Sequence, residues 1–212
     1  MKEFITVSEN IQSELVEKKS RFITNIFYVE SKEEAENKIK EVKKKYFDAR
    51  HNCIAYRIMD GDTCKEKSSD DGEPSGTAGA PMLTILQKNN LVNVLVIVTR
   101  YFGGILLGTG GLVRAYSTSL INAIEKSKKI KKVLGEELEI SLTYSEFENF
   151  KYYCKNNQIN IVDTKYAENI VCKIEMEVET KQKLMKDFEI KNINLNYIKE
   201  LYKKYITKSI IK

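Results

Sequence analysis

The side chains with chemistry on them crowd into one part of the chain. From Ser68 to Pro81 the sequence reads SSDDGEPSGTAGAP, which sets carboxylates at Asp70, Asp71 and Glu73 beside the hydroxyls of Ser68, Ser69, Ser75 and Thr77. Three carboxylates this close are the donor set for Mg²⁺ or for an acid and base pair, or else are solvated turn residues and partners of Arg100, the reading favoured here. The spacing fits no calcium loop, which needs acids at alternate positions before its glycine and a Glu after it. With no Cys-x-x-Cys pair and His51 the single histidine, no metal is expected. The segment Thr99 to Ser117, TRYFGGILLGTGGLVRAYS, carries Gly103, Gly104, Gly108, Gly110 and Gly111 directly into a helical pattern. Helix N-termini gather anions. The Walker lysine is missing and the glycines do not spell GxGxxG, so no nucleotide cofactor is expected. Two readings of the turn stay open: Thr109 as the helix cap, or an anion site.

His51, beside Arg50, titrates near neutrality and has the chemistry of a general base. Combined with the acidic loop 70–73 it gives an enzymatic alternative, a hydrolase. Ser75 lies in no GxSxG elbow, and neither Cys53 nor Cys64 has an evident partner, so no catalytic residue is assigned. The arginines are more telling. The chain uses 30 Lys but only five Arg, at 21, 50, 57, 100 and 114. Arg in place of Lys marks a position that needs a planar, five-donor fork or a stacking surface. Arg100 ends the most apolar run in the chain. It is either paired with Asp70, Asp71 or Glu73, or projects beside Gly103 and Gly104 to hold a ligand. The glycines, which carry no shielding side chains, favour the second. Tyr101 and Phe102 next to it either stack on bases or pack in the core.

Eight of the ten glycines and both prolines, Pro74 and Pro81, lie between Gly72 and Gly111. Repeated glycine costs chain entropy, so this segment is shaped for a purpose. The elements around it follow from periodicity. Ile11 to Val29 gives a β-hairpin about Glu17, Lys18 and Lys19. Ser31 with Glu34 forms a capping box before Ala35, Ile39, Val42 and Tyr46, an amphipathic helix. His51 to Met59 alternates as a strand into the turn Asp60, Gly61, Asp62, with a second strand near Cys64. Val94 to Val98 is apolar at every position, the mark of a strand covered on both faces and the centre of its sheet. Leu112, Tyr116, Leu120, Ala123 and Ile124 keep helical spacing to about Lys126.

The charged stretch from Glu125 to Lys132, closing at Gly135, reads as a linker between domains 1–132 and 136–212. Beyond it the pattern restarts as a strand (Leu138, Ile140, Leu142), a helix capped by Ser145 with Glu148, and a hairpin of Ile159 to Tyr166 with Ile170 to Glu179. A helix from Thr180 through Leu184, Met185 and Phe188 follows, and Tyr197 to Ile206 reads as a closing strand, although Tyr202, Tyr205 and the lysines there also suit a helix. The order βαββαβ is that of a ferredoxin-like domain, so the fold class is α+β in two domains.

Composition limits the functions. Hydrophobic residues make up 42% and charged residues 31%, enough apolar surface for true cores. The start reads as neither signal peptide nor anchor, and no apolar run approaches the roughly 20 residues of a membrane span, so a cytoplasmic chain without a membrane partner is expected. The net charge of +5 sits entirely in residues 1–132, which hold 22 Lys+Arg against 17 Asp+Glu, while the remainder holds 13 of each. This permits a phosphate-bearing or acidic partner without the strongly basic signature of a dedicated nucleic-acid domain.

Taken together, DDGEPSGTAGAPML, VTRYFGGILLGTGGLVRAYS, KKSRF around Arg21 and HNCIAY from His51 resemble the IMPACT family in its bacterial, YigZ-like branch. The resemblance implies a ribosomal-protein-like N-terminal domain related to one in elongation factor G, and a ferredoxin-like C-terminal domain similar to another in that factor. It also implies a non-catalytic binding protein linked to translation or its regulation, whose partner is RNA, the ribosome or a translation-regulatory protein. The binding residues singled out on this reading are Arg21, Arg50, His51, Asp70, Asp71, Glu73, Arg100, Gly103, Gly104, Gly108, Gly110, Gly111 and Arg114.

Overall fold

The computed structural model describes residues 3–61, 63–190 and 198–208. Two compact units emerge, one running from residue 3 to residue 131 and the other from residue 132 onward.

In the first unit, five antiparallel strands form one sheet in the order β2 (Ile11–Glu17), β3 (Ser20–Tyr28), β6 (Val94–Tyr101), β4 (His51–Asp60), β5 (Thr63–Ser69). The hairpin β2–β3 turns at Lys18 and Lys19, both with positive φ, as the charged bend predicts. The apolar run forms β6 at the centre, and its alternation explains why every position is apolar. Val94, Val96 and Val98 face a core under α2 (Gly79–Lys88) and α3 (Gly108–Lys126), while Leu95 and Ile97 face a second core under α1 (Lys32–Lys45). Ser31 caps α1 by accepting from the Glu34 backbone N–H at 3.1 Å. The Glu34 carboxylate reaches one residue further back than a capping box requires, to the Glu30 backbone N–H.

Two elements of this unit carry no strong local signal. A short strand β1 (Glu3–Val7) buries Phe4 and Val7. Helix α2 buries Met82 and Leu86 although Gly79 and Pro81 make its start read as loop. Its cap residue, Ala78, has no side-chain acceptor to offer, and the Asp70 carboxylate supplies one from eight residues upstream, taking the Ala78 and Gly79 backbone N–H groups at 3.0 and 2.7 Å.

The stretch expected as a linker is regular structure. Residues 129–142 form one strand, β7 (Lys129–Leu142), so the charged stretch is the end of α3 followed by the start of a strand. The second unit then runs β7, α4 (Tyr144–Asn156), β8 (Asn160–Tyr166), β9 (Ile170–Glu177), α5 (Val178–Ile190), β10 (Ile198–Lys208), and the strand order β10-β7-β9-β8 is that of a ferredoxin-like sheet. Leu138, Ile140, Phe147, Phe150, Cys172, Ile174, Met176 and Leu184 form its core.

Three local expectations shift here. Thr143 and Glu146, not Ser145 and Glu148, make the capping box of α4. Helix α5 begins at Val178, before Thr180, which ends the preceding strand two residues early. Tyr197, the expected start of the closing strand, lies outside the described residues, as does Asp62 of the first unit's turn. Among the described residues no helix is long and apolar enough to cross a membrane.

Candidate functional site

The three acidic residues of the glycine-rich segment are each bound by different donors. Asp70, besides capping α2, accepts from the Gly76 backbone N–H at 2.8 Å through its other oxygen. Burial alone would raise its carboxyl, but the backbone donations of Gly76, Gly79 and Ala78 outweigh that and hold it below the ordinary carboxylate value. Asp71, at the left-handed φ of 45°, accepts from the Asn52 backbone N–H and from Lys43 of α1, both at 2.7 Å. Glu73 points inward and is buried. One of its oxygens accepts from Arg100 at 2.7 Å and from the Tyr116 hydroxyl at 2.8 Å. Among the described residues no group of acidic, Cys and His side chains is arranged to hold a metal ion.

Arg100 is therefore not the exposed, ligand-facing side chain expected from its neighbouring glycines. Its side chain is 7% exposed. The guanidinium lies 5.6 Å from the ring centres of both Phe22 and Phe102, and reaches Ser20 Oγ at 3.4 Å. The glycines act in the opposite sense to the one assumed. Gly103 lets the turn of β2–β3 descend onto the strand end, where an added Cβ would stand 2.0 Å from the Lys19 carbonyl carbon. Its backbone N–H donates to Ser20 Oγ at 3.2 Å.

Cys53 and Tyr116 close this network. The Cys53 thiol donates to the Asp70 carbonyl at 2.9 Å and lies 3.3 Å from the Tyr116 hydroxyl. Burial pushes the thiol up to about 12, out of the range of a nucleophile, and burial likewise moves Tyr116 far upward. His51 Nδ1 lies 3.0 Å from the Asp71 carbonyl oxygen, which can only accept, so this nitrogen carries the proton. The ring packs over Gly72, whose φ is +88°. His51 thus holds the backbone of the acidic loop through Nδ1.

The remaining expected residues lie elsewhere. Arg57 is buried against Glu66 at 2.7 Å and donates to the Leu91 carbonyl, a structural position. Arg21 stacks 4.9 Å from the Tyr101 ring centre and pairs loosely with Glu14 at 3.9 Å. Arg50 and Arg114 are exposed. Gly104 and Gly108 take left-handed backbone at φ 83° and 70°, and Gly110 and Gly111 occupy the first turn of α3. Thr109 is not the cap of that helix. Leu107 holds the cap position and no side chain accepts from the exposed first turn, which contains no acidic residue.

Of the loop between β6 and α3, sequence reasoning singled out Gly103, Gly104 and Phe102 and overlooked Ile105 and Leu106. Phe102, Ile105 and Leu106 there are 54%, 42% and 84% exposed. The signal was available as three apolar residues among glycines, too few and too irregular for any buried element.

A three-layer unit with this glycine-rich segment pinned to its sheet, followed by a ferredoxin-like unit, defines the class. The Impact N-terminal domain matches residues 18–124 and a domain of unknown function, DUF1949, matches residues 140–188. The chain is 38% identical to the IMPACT family member YvyE of Bacillus subtilis over 84% of its length and 81% of that relative's. It is 33% identical to the IMPACT family member YigZ of Escherichia coli over 80% and 81%. A crystal structure described as that of a hypothetical protein is 29% identical, with a TM-score of 0.62 over 95% of this chain and 97% of that one. The chain belongs to the IMPACT family.

Proposed function

We infer that this protein is a non-catalytic binding protein acting in translation or its regulation in the cytoplasm. One observation supports this above the others. The side chains that would do chemistry are consumed by the fold: Asp70 caps a helix, Asp71 ties α1 to β4, and Glu73 neutralises Arg100. What the same segment leaves exposed is suited to contact, namely the loop apolar side chains and Arg114 at the start of α3. The basic excess of residues 1–132 favours a phosphate-bearing or acidic partner, as on RNA, the ribosome or a translation-regulatory protein. Membership of the IMPACT family supports the link to translation.

The test is cell-free translation of a reporter with purified protein added over a range of concentrations. The reading expects a dose-dependent change in yield that raised salt suppresses. No effect at any dose, together with turnover of a phosphoester or ester by the same preparation, would replace it with the hydrolase alternative.

A further inference from the structure

We propose that the loop between β6 and α3 is a docking surface for an acidic segment of a protein partner that carries large apolar anchor residues. The proposal rests on the binding reading above and names its surface and partner chemistry.

Phe102, Ile105 and Leu106 stand exposed within five residues of one another, and nothing in the local sequence forces such side chains into water. The loop is not slack. Gly103 is seated on the Lys19 backbone, and Phe102 lies against the guanidinium of Arg100, itself fixed by Glu73. The start of the loop, with Phe102, is therefore held, which lowers the ordering cost of binding there. Gly103 also brings the Lys18–Lys19 turn beside the loop, and the Arg114 guanidinium lies beside Gly110 in the first turn of α3, the helix that follows the loop. Lys18, Lys19 and Arg114 are exposed, and none forms an ion pair among the described residues.

An apolar centre with a basic border is complementary to apolar side chains flanked by Asp and Glu. The aliphatic share decides between partners. A single-stranded nucleic acid is held by rings and guanidinium planes on which bases stack, whereas Ile105 and Leu106 offer no such face. Leu106, the most exposed of the three, fits a pocket or groove on a protein.

The experiment is selection of a random displayed peptide library on the full-length protein, followed by anisotropy titration of the enriched peptides and of a labelled poly-A oligonucleotide. Enriched peptides should be rich in Asp and Glu around Leu, Phe or Met. Leu106→Asp should weaken their binding by about tenfold or more, and Lys18→Glu with Lys19→Glu should weaken it with loss of salt dependence. Both variants should melt as the parent does, because their side chains are exposed. Enrichment of basic or purely apolar peptides, or no enrichment, overturns the proposal, as does acidic-peptide affinity that Leu106→Asp leaves unchanged. Oligonucleotide binding that Leu106→Asp abolishes also overturns it and assigns the surface to RNA. A translation effect that survives Leu106→Asp in the cell-free assay sinks this surface while leaving the broader reading standing.

Discussion

Arg100 Nη1 lies 2.7 Å from Glu73 Oε1, with both side chains buried and Glu73 brought from 27 residues upstream. This pair joins the two halves of the glycine-rich segment to the centre of the sheet. Removing one partner leaves the other as an uncompensated charge in the interior. Arg100→Ala is expected to lower the unfolding free energy by about 3–5 kcal/mol, read from urea denaturation. Arg100→Lys should recover only part of it, since an ammonium cannot contact Glu73 and Ser20 in the planar geometry used here. A melting temperature unchanged in Arg100→Ala would show that the pair does not hold the segment.

Asp70 gives a pH prediction with a definite sign. Its carboxyl is held below the ordinary value of 3.8 in the folded state, so its contribution is complete above that pH and is lost as pH falls through the depressed folded value. Stability measured from pH 6 down to pH 2 should fall less steeply in Asp70→Asn than in the parent. At neutral pH, Asp70→Ala should cost about 1–2 kcal/mol through the uncapped start of α2. Parallel acid curves for the parent and Asp70→Asn would contradict the assignment.

The thiols should separate by burial. Burial pushes Cys53 and Cys154 up to about 12 and Cys172 up to about 11, whereas Cys64 sits half-buried on the edge strand β5 with a smaller upward shift. Iodoacetamide at pH 8 followed by peptide mass mapping should modify Cys64 first, with the other three protected until the chain unfolds. Early labelling of Cys53 would mean that the network around Glu73 opens readily.

Much of the fold was legible because the cores are built from regular patterns. The two-faced burial of β6, the spacing of Ala35, Ile39 and Val42, and the alternation of Cys172, Ile174 and Met176 each declare their element. What escaped depends on distant contacts. The cap of α2 arrives from Asp70, so no start signal stands beside that helix. The burial of Arg100 depends on the β2–β3 turn settling over Gly103, and a glycine in sequence does not say whether it exposes its neighbour or admits another backbone. A pairing of the acidic loop with Arg100 was legible as one alternative, but not which carboxylate makes it, since the loop's donors come from α1, β4, β6 and α3, which no local spacing brings together.

The central claim is that this chain works by binding within translation, and cosedimentation with purified ribosomes over a salt series tests it most directly. The account predicts that the protein pellets with ribosomes at low salt, is released progressively as salt rises, and is retained less by Leu106→Asp at equal stability. A protein that stays in the supernatant at the lowest salt, and that leaves cell-free translation unchanged at every dose, would contradict it.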